Sequence, residues 1–136
     1  MKNFRTILIT TFLLLFVIPA RAEYYEGATG CDDALPQIPK NICTTDQFKK
    51  SDAVLNRLYK EKIAAMTNSI NIDRLRDSQR AWVTFRDKAC LYDAGKPEES
   101  GSVWSLEHYG CMAYHTKKRI EDLKRYLNCT SDDCPN

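Results

Sequence analysis

The stretch IDRLRDSQRAWVTFRDKACLY, residues 72–92, decides the fold. Its apolar residues Leu75, Trp82, Phe85, Ala89 and Tyr92 recur at helical spacing, while Asp73, Arg74, Arg76, Asp77, Arg80, Asp87 and Lys88 fill most of the remaining positions. One apolar stripe opposed by charge predicts an amphipathic helix from about Ile72 to Tyr92. Asp73 with Asp77 and Arg76 with Arg80 read as a solvated face of i,i+4 neighbours.

Outward from that stretch the pattern repeats twice. Upstream, Thr44 and Gln47 form a T-x-x-Q capping-box signature, and Phe48, Leu55, Leu58, Tyr59, Ile63 and Met66 follow at helical spacing. A first helix is expected from Thr44 to about Met66, ending at the polar break Thr67, Asn68 and Ser69. Downstream, Gly95, Pro97, Gly101 and Ser102 mark a loop. Leu106, Tyr109, Ala113, Thr116, Ile120, Leu123 and Leu127 then share one face of a third helix over about Ser105 to Leu127. The segment Glu23 to Ile42, punctuated by Gly27, Gly30, Pro36 and Pro39, reads as an irregular arm. No stretch alternates convincingly as a strand. The expected fold is all-α: a small three-helix antiparallel bundle with an irregular N-terminal arm, stapled by disulfides.

The N-terminus carries a targeting pattern. Lys2 and Arg5 precede an apolar run from Ile7 to Ile18, and Ala20-Arg21-Ala22 supplies an A-x-A cleavage site. The run is shorter than the roughly 20 apolar residues a membrane span needs. Residues 1–22 are therefore expected to be a cleaved signal peptide, with residues 23–136 as one helical domain in the periplasm or secreted. No membrane anchor is expected in the mature form, which should be soluble. Cleavage removes three of the 20 basic residues, Lys2, Arg5 and Arg21, and leaves 17 against 18 acidic. That balance offers little counterion release, so no nucleic-acid partner is expected. All six cysteines, Cys31, Cys43, Cys90, Cys111, Cys129 and Cys134, follow the cleavage site, and an even number in an exported chain implies a disulfide framework.

The residues give little support to catalysis. His108, Cys111 and His115 fall on one helix face and are the nearest approach to a zinc ligand set. A bridged Cys111 is no thiolate ligand, however, so no metal and no cofactor are expected. Candidate carboxylates such as Asp73, Asp77, Asp87 and Glu107 each have Arg or Lys at helical spacing, and no nucleophile-elbow, metalloprotease, phosphate-loop or dinucleotide motif is present. No catalytic residue is assigned. Trp82 reads as core, and Arg86 as a bidentate donor to helix-end carbonyls or to a carboxylate such as Glu121. Asn128-Cys129-Thr130 matches a glycosylation sequon, which a bridged Cys129 argues against.

The motif Leu75-Arg76-Asp77-Ser78-Gln79-Arg80-Ala81-Trp82, followed by Phe85-Arg86-Asp87-Lys88-Ala89-Cys90, resembles the signature of the lysozyme inhibitor LprI-like family of small exported bacterial proteins. Cys31 with Cys43 resembles the family's leading cysteine pair, and Cys111 followed by Thr116, Arg119 and Leu123 resembles its last helix. The resemblance spans roughly residues 31–127. It implies a non-catalytic protein with a protein partner, lysozyme in some relatives. Read from the residues themselves, the matching positions Gln79, Trp82, Arg86, Cys90, Cys111 and Arg119 are architectural. Six cysteines leave many connectivities open. Proximity along the chain and the family-like positions favour Cys31 with Cys43, Cys90 with Cys111, and Cys129 with Cys134, the last pair lying outside the resemblance. A muramidase cleft with two carboxylates would accept a polar or basic loop tip. Lys96, in the loop from Asp93 to Val103, is the candidate partner-binding residue. A structural or assembly module of the bacterial envelope is the alternative, to be recognised by an exposed apolar patch.

Overall fold

The computed structural model describes residues 30–131 and Cys134. The expected signal peptide, Met1 to Ala22, lies outside the described residues. Among those described, all regular structure is helical. Three long helices follow in order: α1 (Gln37–Ala65), α2 (Ser69–Ala94) and α3 (Trp104–Leu127). A single helical turn, Pro97–Ser100, and a 3₁₀ turn, Gly101–Val103, link α2 to α3.

Helix α1 starts well before the expected Thr44, at Gln37, so the second half of the supposed irregular arm is helical. Pro39 does not prevent this, because it sits in the first turn, where a backbone N–H has no helical acceptor to lose. Thr44 is consequently no N-cap. It is fully buried inside the helix, and its hydroxyl donates to Cys31 Sγ at 3.9 Å. The Cys31–Cys43 bridge, 6.0 Å between Cα atoms, fixes the preceding segment against this turn. At the break after α1, Asn68 caps α2: its Oδ1 accepts from the N–H groups of Ile70 and Asn71 at 3.0 and 3.2 Å.

The core has two parts. Leu55 and Leu58 of α1 meet Ile120 and Leu123 of α3, with Tyr59, Trp82, Tyr126 and Leu127 around them. Farther along, the Cys90–Cys111 bridge packs with Met112 and Phe48. Helix α3 lies most extensively along α1 and secondarily along α2, whereas α1 and α2 approach one another closely at hardly any point. The expected three-helix antiparallel bundle is thus realised only in part, as two helices laid on a third.

The inward face of α2 also differs from the expected stripe. Gln79, Arg86, Cys90 and Ala94 are buried and Trp82 is partly buried, whereas Phe85 and Tyr92 are 56% and 81% exposed. The helix is rotated so that hydrogen-bonding groups, rather than the two aromatics, face α3. Arg119 and Thr116 on α3 supply the reason, since each is buried and needs a polar partner.

Candidate functional site

Trp82 stands between two buried guanidinium groups. The Cζ of Arg86 lies 5.0 Å and that of Arg119 5.9 Å from its ring centroid, within cation–π range. Arg86 also lies 5.4 Å from the Phe48 ring. Each guanidinium is satisfied across helices. Arg86 Nη1 donates to Asp52 Oδ1 on α1 at 3.2 Å and to Thr116 Oγ1 on α3 at 3.3 Å, while its Nε donates to Asp87 Oδ1 at 3.0 Å. Arg119 Nε donates to Gln79 Oε1 at 3.1 Å, and its Nη2 to Ser78 Oγ at 3.2 Å. Glu121, the carboxylate expected to receive Arg86, instead accepts from Lys124 at 2.8 Å on the exposed side of α3. Glu121 stands two residues from Arg119, on the opposite side of the helix, so it cannot reach the α2 seam.

This cluster is a structural knot. Its charged groups are committed to one another, and Trp82 is screened by both arginines. Asp52, Phe48 and Thr116, which complete it, were not legible as a set, because they come from helices whose mutual rotation the sequence does not specify.

The histidines lie at the disulfide end of the same seam. Trp104 stacks on His108 at 4.4 Å between centroids, and His115 meets the exposed Phe85 edge-on at 5.4 Å. His108 Nδ1 is buried without a hydrogen-bond partner. Burial holds the His108 imidazole below its ordinary pKa, with the Cys90 carbonyl and Asp87 pulling upward and Arg86 downward. Burial likewise lowers His115, against the pull of Asp93. The expected trio His108, Cys111 and His115 is not the set brought together. Among the described residues, Cys90, Cys111 and His115 place their ligand atoms within 4.8 Å of one another. Two of the three are joined as a disulfide, which removes both thiolates from metal chemistry.

Lys96 sits on the short connection after α2, with its side chain 65% exposed and its Nζ 3.6 Å from Glu99 Oε1. The connection beneath it is held at several points. Trp104 Nε1 donates to the Gly95 carbonyl at 3.0 Å, Ser100 Oγ to the Ala94 carbonyl at 2.5 Å, and Asn41 Nδ2 of α1 to the Ser102 carbonyl at 2.7 Å. Gly95 turns the chain at φ +68°, where a Cβ would also stand 3.2 Å from Ser100 Oγ. The Cys90–Cys111 bridge, 5.5 Å between Cα atoms, closes the base of the connection.

The spacing of this scaffold, from the leading cysteine pair through the tryptophan knot to Leu123, agrees with the family model described as Lysozyme inhibitor LprI, which matches residues 31–123. The chain belongs to the LprI family. An uncharacterized protein of Rhizobium meliloti (strain 1021) is 31% identical over 129 residues, covering 86% of this chain and 91% of the relative. The uncharacterized protein YecT of Escherichia coli (strain K12) is 30% identical over 101 residues, 63% of this chain and 61% of its own length. No solved structure matches. In this LprI family member the matched span includes two of the disulfides and ends before Cys129–Cys134, a bridge 5.8 Å between Cα atoms that closes the C-terminal segment.

Proposed function

We propose that the chain is an exported, non-catalytic binding protein that inhibits a lysozyme-type muramidase, engaging it through the connection that carries Lys96. The family description supplies the target class. The observation that carries the contact assignment is the contrast between an exposed Lys96 tip and the bonds that hold the connection beneath it. A tip already ordered before binding loses little conformational freedom in the complex, and a lysine is the charge that a cleft with two carboxylates accepts. Trp82, Arg86, Gln79 and Arg119 serve the scaffold, not the partner. In this reading residues 1–22 are removed on export, and residues 23–136 form one domain with no membrane anchor and no nucleic-acid, metal or cofactor partner. Intact mass of the exported protein should begin at Glu23.

Lytic rates on cell-wall substrate, measured against increasing oxidised protein, test the inhibitor reading. Slowing is expected, weakened by Lys96→Ala with unchanged thermal stability, while Trp82→Ala lowers stability first. Lysis unchanged at a large molar excess would refute it. One observation favours an envelope assembly module instead: Phe85, Leu91 and Tyr92 are all exposed on α2. Serine at Phe85 and Tyr92 would impair that function and leave muramidase inhibition intact.

A further inference from the structure

Lys62 is the polar intruder in the apolar stripe of α1, one turn beyond Leu58, and is only 5% exposed. No carboxylate or hydrogen-bond acceptor among the described residues meets its Nζ. Its stem is buried but its Nζ is not sealed in, since among the described residues His108 Nδ1 is the fully buried polar side-chain atom left without a partner; a lysine this enclosed is nonetheless ordinarily paired. Lys62 instead lines a cleft of about 300 Å³ near the α1–α2 break, together with Met66, Leu75, Arg74, Ser78 and Tyr126. No acidic side chain lines this cleft. Arg74 Nη1 donates to the neutral Asn71 Oδ1 at 3.1 Å, and Ser78 is the hydroxyl that receives Arg119 Nη2. Arg119 has a carboxylate only at 3.8 Å, on Asp122. Arg119 belongs to the tryptophan knot, so two cations, Lys62 and Arg74, line the cleft with no carboxylate on its wall, beside the thioether of Met66, the aliphatic side chain of Leu75 and the Tyr126 ring.

We propose that this cleft binds a small carboxylate carrying an apolar chain. The carboxylate would sit against Lys62 Nζ and Arg74, and the chain against Met66, Leu75 and Tyr126. One anionic charge matches the one ammonium that opens on the cleft, and the largely apolar wall disfavours an ion that is polar on every side. The volume lies at the lower end of small-molecule sites, which suits a chain of about eight carbons. The site lies at the opposite end of α2 from Lys96 and stands independently of the muramidase reading.

Calorimetric titration of the oxidised protein with octanoate, octanamide, acetate and inorganic phosphate tests the proposal, with thermal melts in parallel. Octanoate should saturate one site and raise the melting temperature. Octanamide, acetate and phosphate should each bind at least tenfold more weakly. Lys62→Met, which keeps the buried stem, should lower octanoate affinity at least tenfold without lowering the melting temperature of the free protein. Arg74→Gln, at an exposed position that the fold does not depend on, should weaken octanoate severalfold. The proposal is overturned if octanoate shows no saturable binding, if Lys62→Met binds it as wild type does, or if octanamide or phosphate binds as tightly.

Discussion

The two faces of α3 are stabilised in different ways. Against α1 it presents Ile120 and Leu123 to Leu55 and Leu58, an aliphatic seam in which shape and area do the holding. Against α2 it presents Arg119 and Thr116 to Gln79, Ser78 and Arg86, with Trp82 between the guanidiniums and a disulfide at the far end. The first seam tolerates small shifts of register, since dispersion is not directional. The second admits essentially one rotation of α2, because each hydrogen bond has a required geometry. The aliphatic seam therefore supplies most of the burial, and the polar seam supplies the orientation.

Truncation in the aliphatic seam should have the largest effect. Leu55→Ala removes a side chain buried to 2% exposure and should cost about 3 to 4 kcal/mol in urea unfolding. A loss under about 1 kcal/mol would mean the seam collapses around the cavity and is softer than its packing implies. Next, Cys90→Ser with Cys111→Ser opens a loop with a sequence separation of 21 and should cost about 3 kcal/mol in the chain-entropy picture. If the cost were negligible, the hydrogen bonds alone would hold α2 in place.

A double-mutant cycle sharpens the contrast further. Gln79→Leu strands the buried Arg119 Nε and Arg119→Met strands Gln79 Oε1, and each alone should cost about 2 kcal/mol. Replacing both partners, Gln79→Leu with Arg119→Met, should recover stability to within about 1 kcal/mol of wild type, since apolar isosteres escape the desolvation penalty. Strict additivity of the two losses would show that Gln79 and Arg119 do not act as a pair.

The smallest effect concerns pH. His108 and His115 both have pKa values lowered from the ordinary 6.5, chiefly by burial. The unfolded chain binds these protons first as pH falls, so stability is fully present above 6.5 and declines below it toward the folded-state values. Melting temperature should drop modestly between about pH 7 and about pH 5, and His108→Phe should flatten part of that drop. An unchanged slope in that variant would exclude His108 as a contributor.

The difference between the seams also explains what could be read from the sequence. The stripes on α1 and α3 were legible: Leu55, Leu58, Met66, Ala113, Ile120 and Leu123 are all buried where hydrophobic periodicity places them. The same rule misplaced α2, because its inward positions include Gln79 and Arg86, whose burial depends on partners 30 to 40 residues away. Hydrophobicity alone assigns Phe85 and Tyr92 inward and cannot detect a buried hydrogen-bond network. The start of α1 was missed for a related reason. Thr44 has the composition of a cap, but its burial under the Cys31–Cys43 bridge is a tertiary fact. At the candidate sites, the exposure of Lys96 followed from turn residues around it, whereas Lys62 gave one weak signal, a charge at the i+7 position from Leu55 and i+4 from Leu58.

The central position of α3 has a consequence for the order of folding. The helix on which the other two rest is the last to leave the ribosome, so neither earlier helix can bury its inward face during most of synthesis. Pairing of the chain's two ends carries a loop-closure cost that short-range contacts would avoid. Without α3 the other two helices lack the surface on which they pack, so tertiary packing is expected to wait for the C-terminal helix.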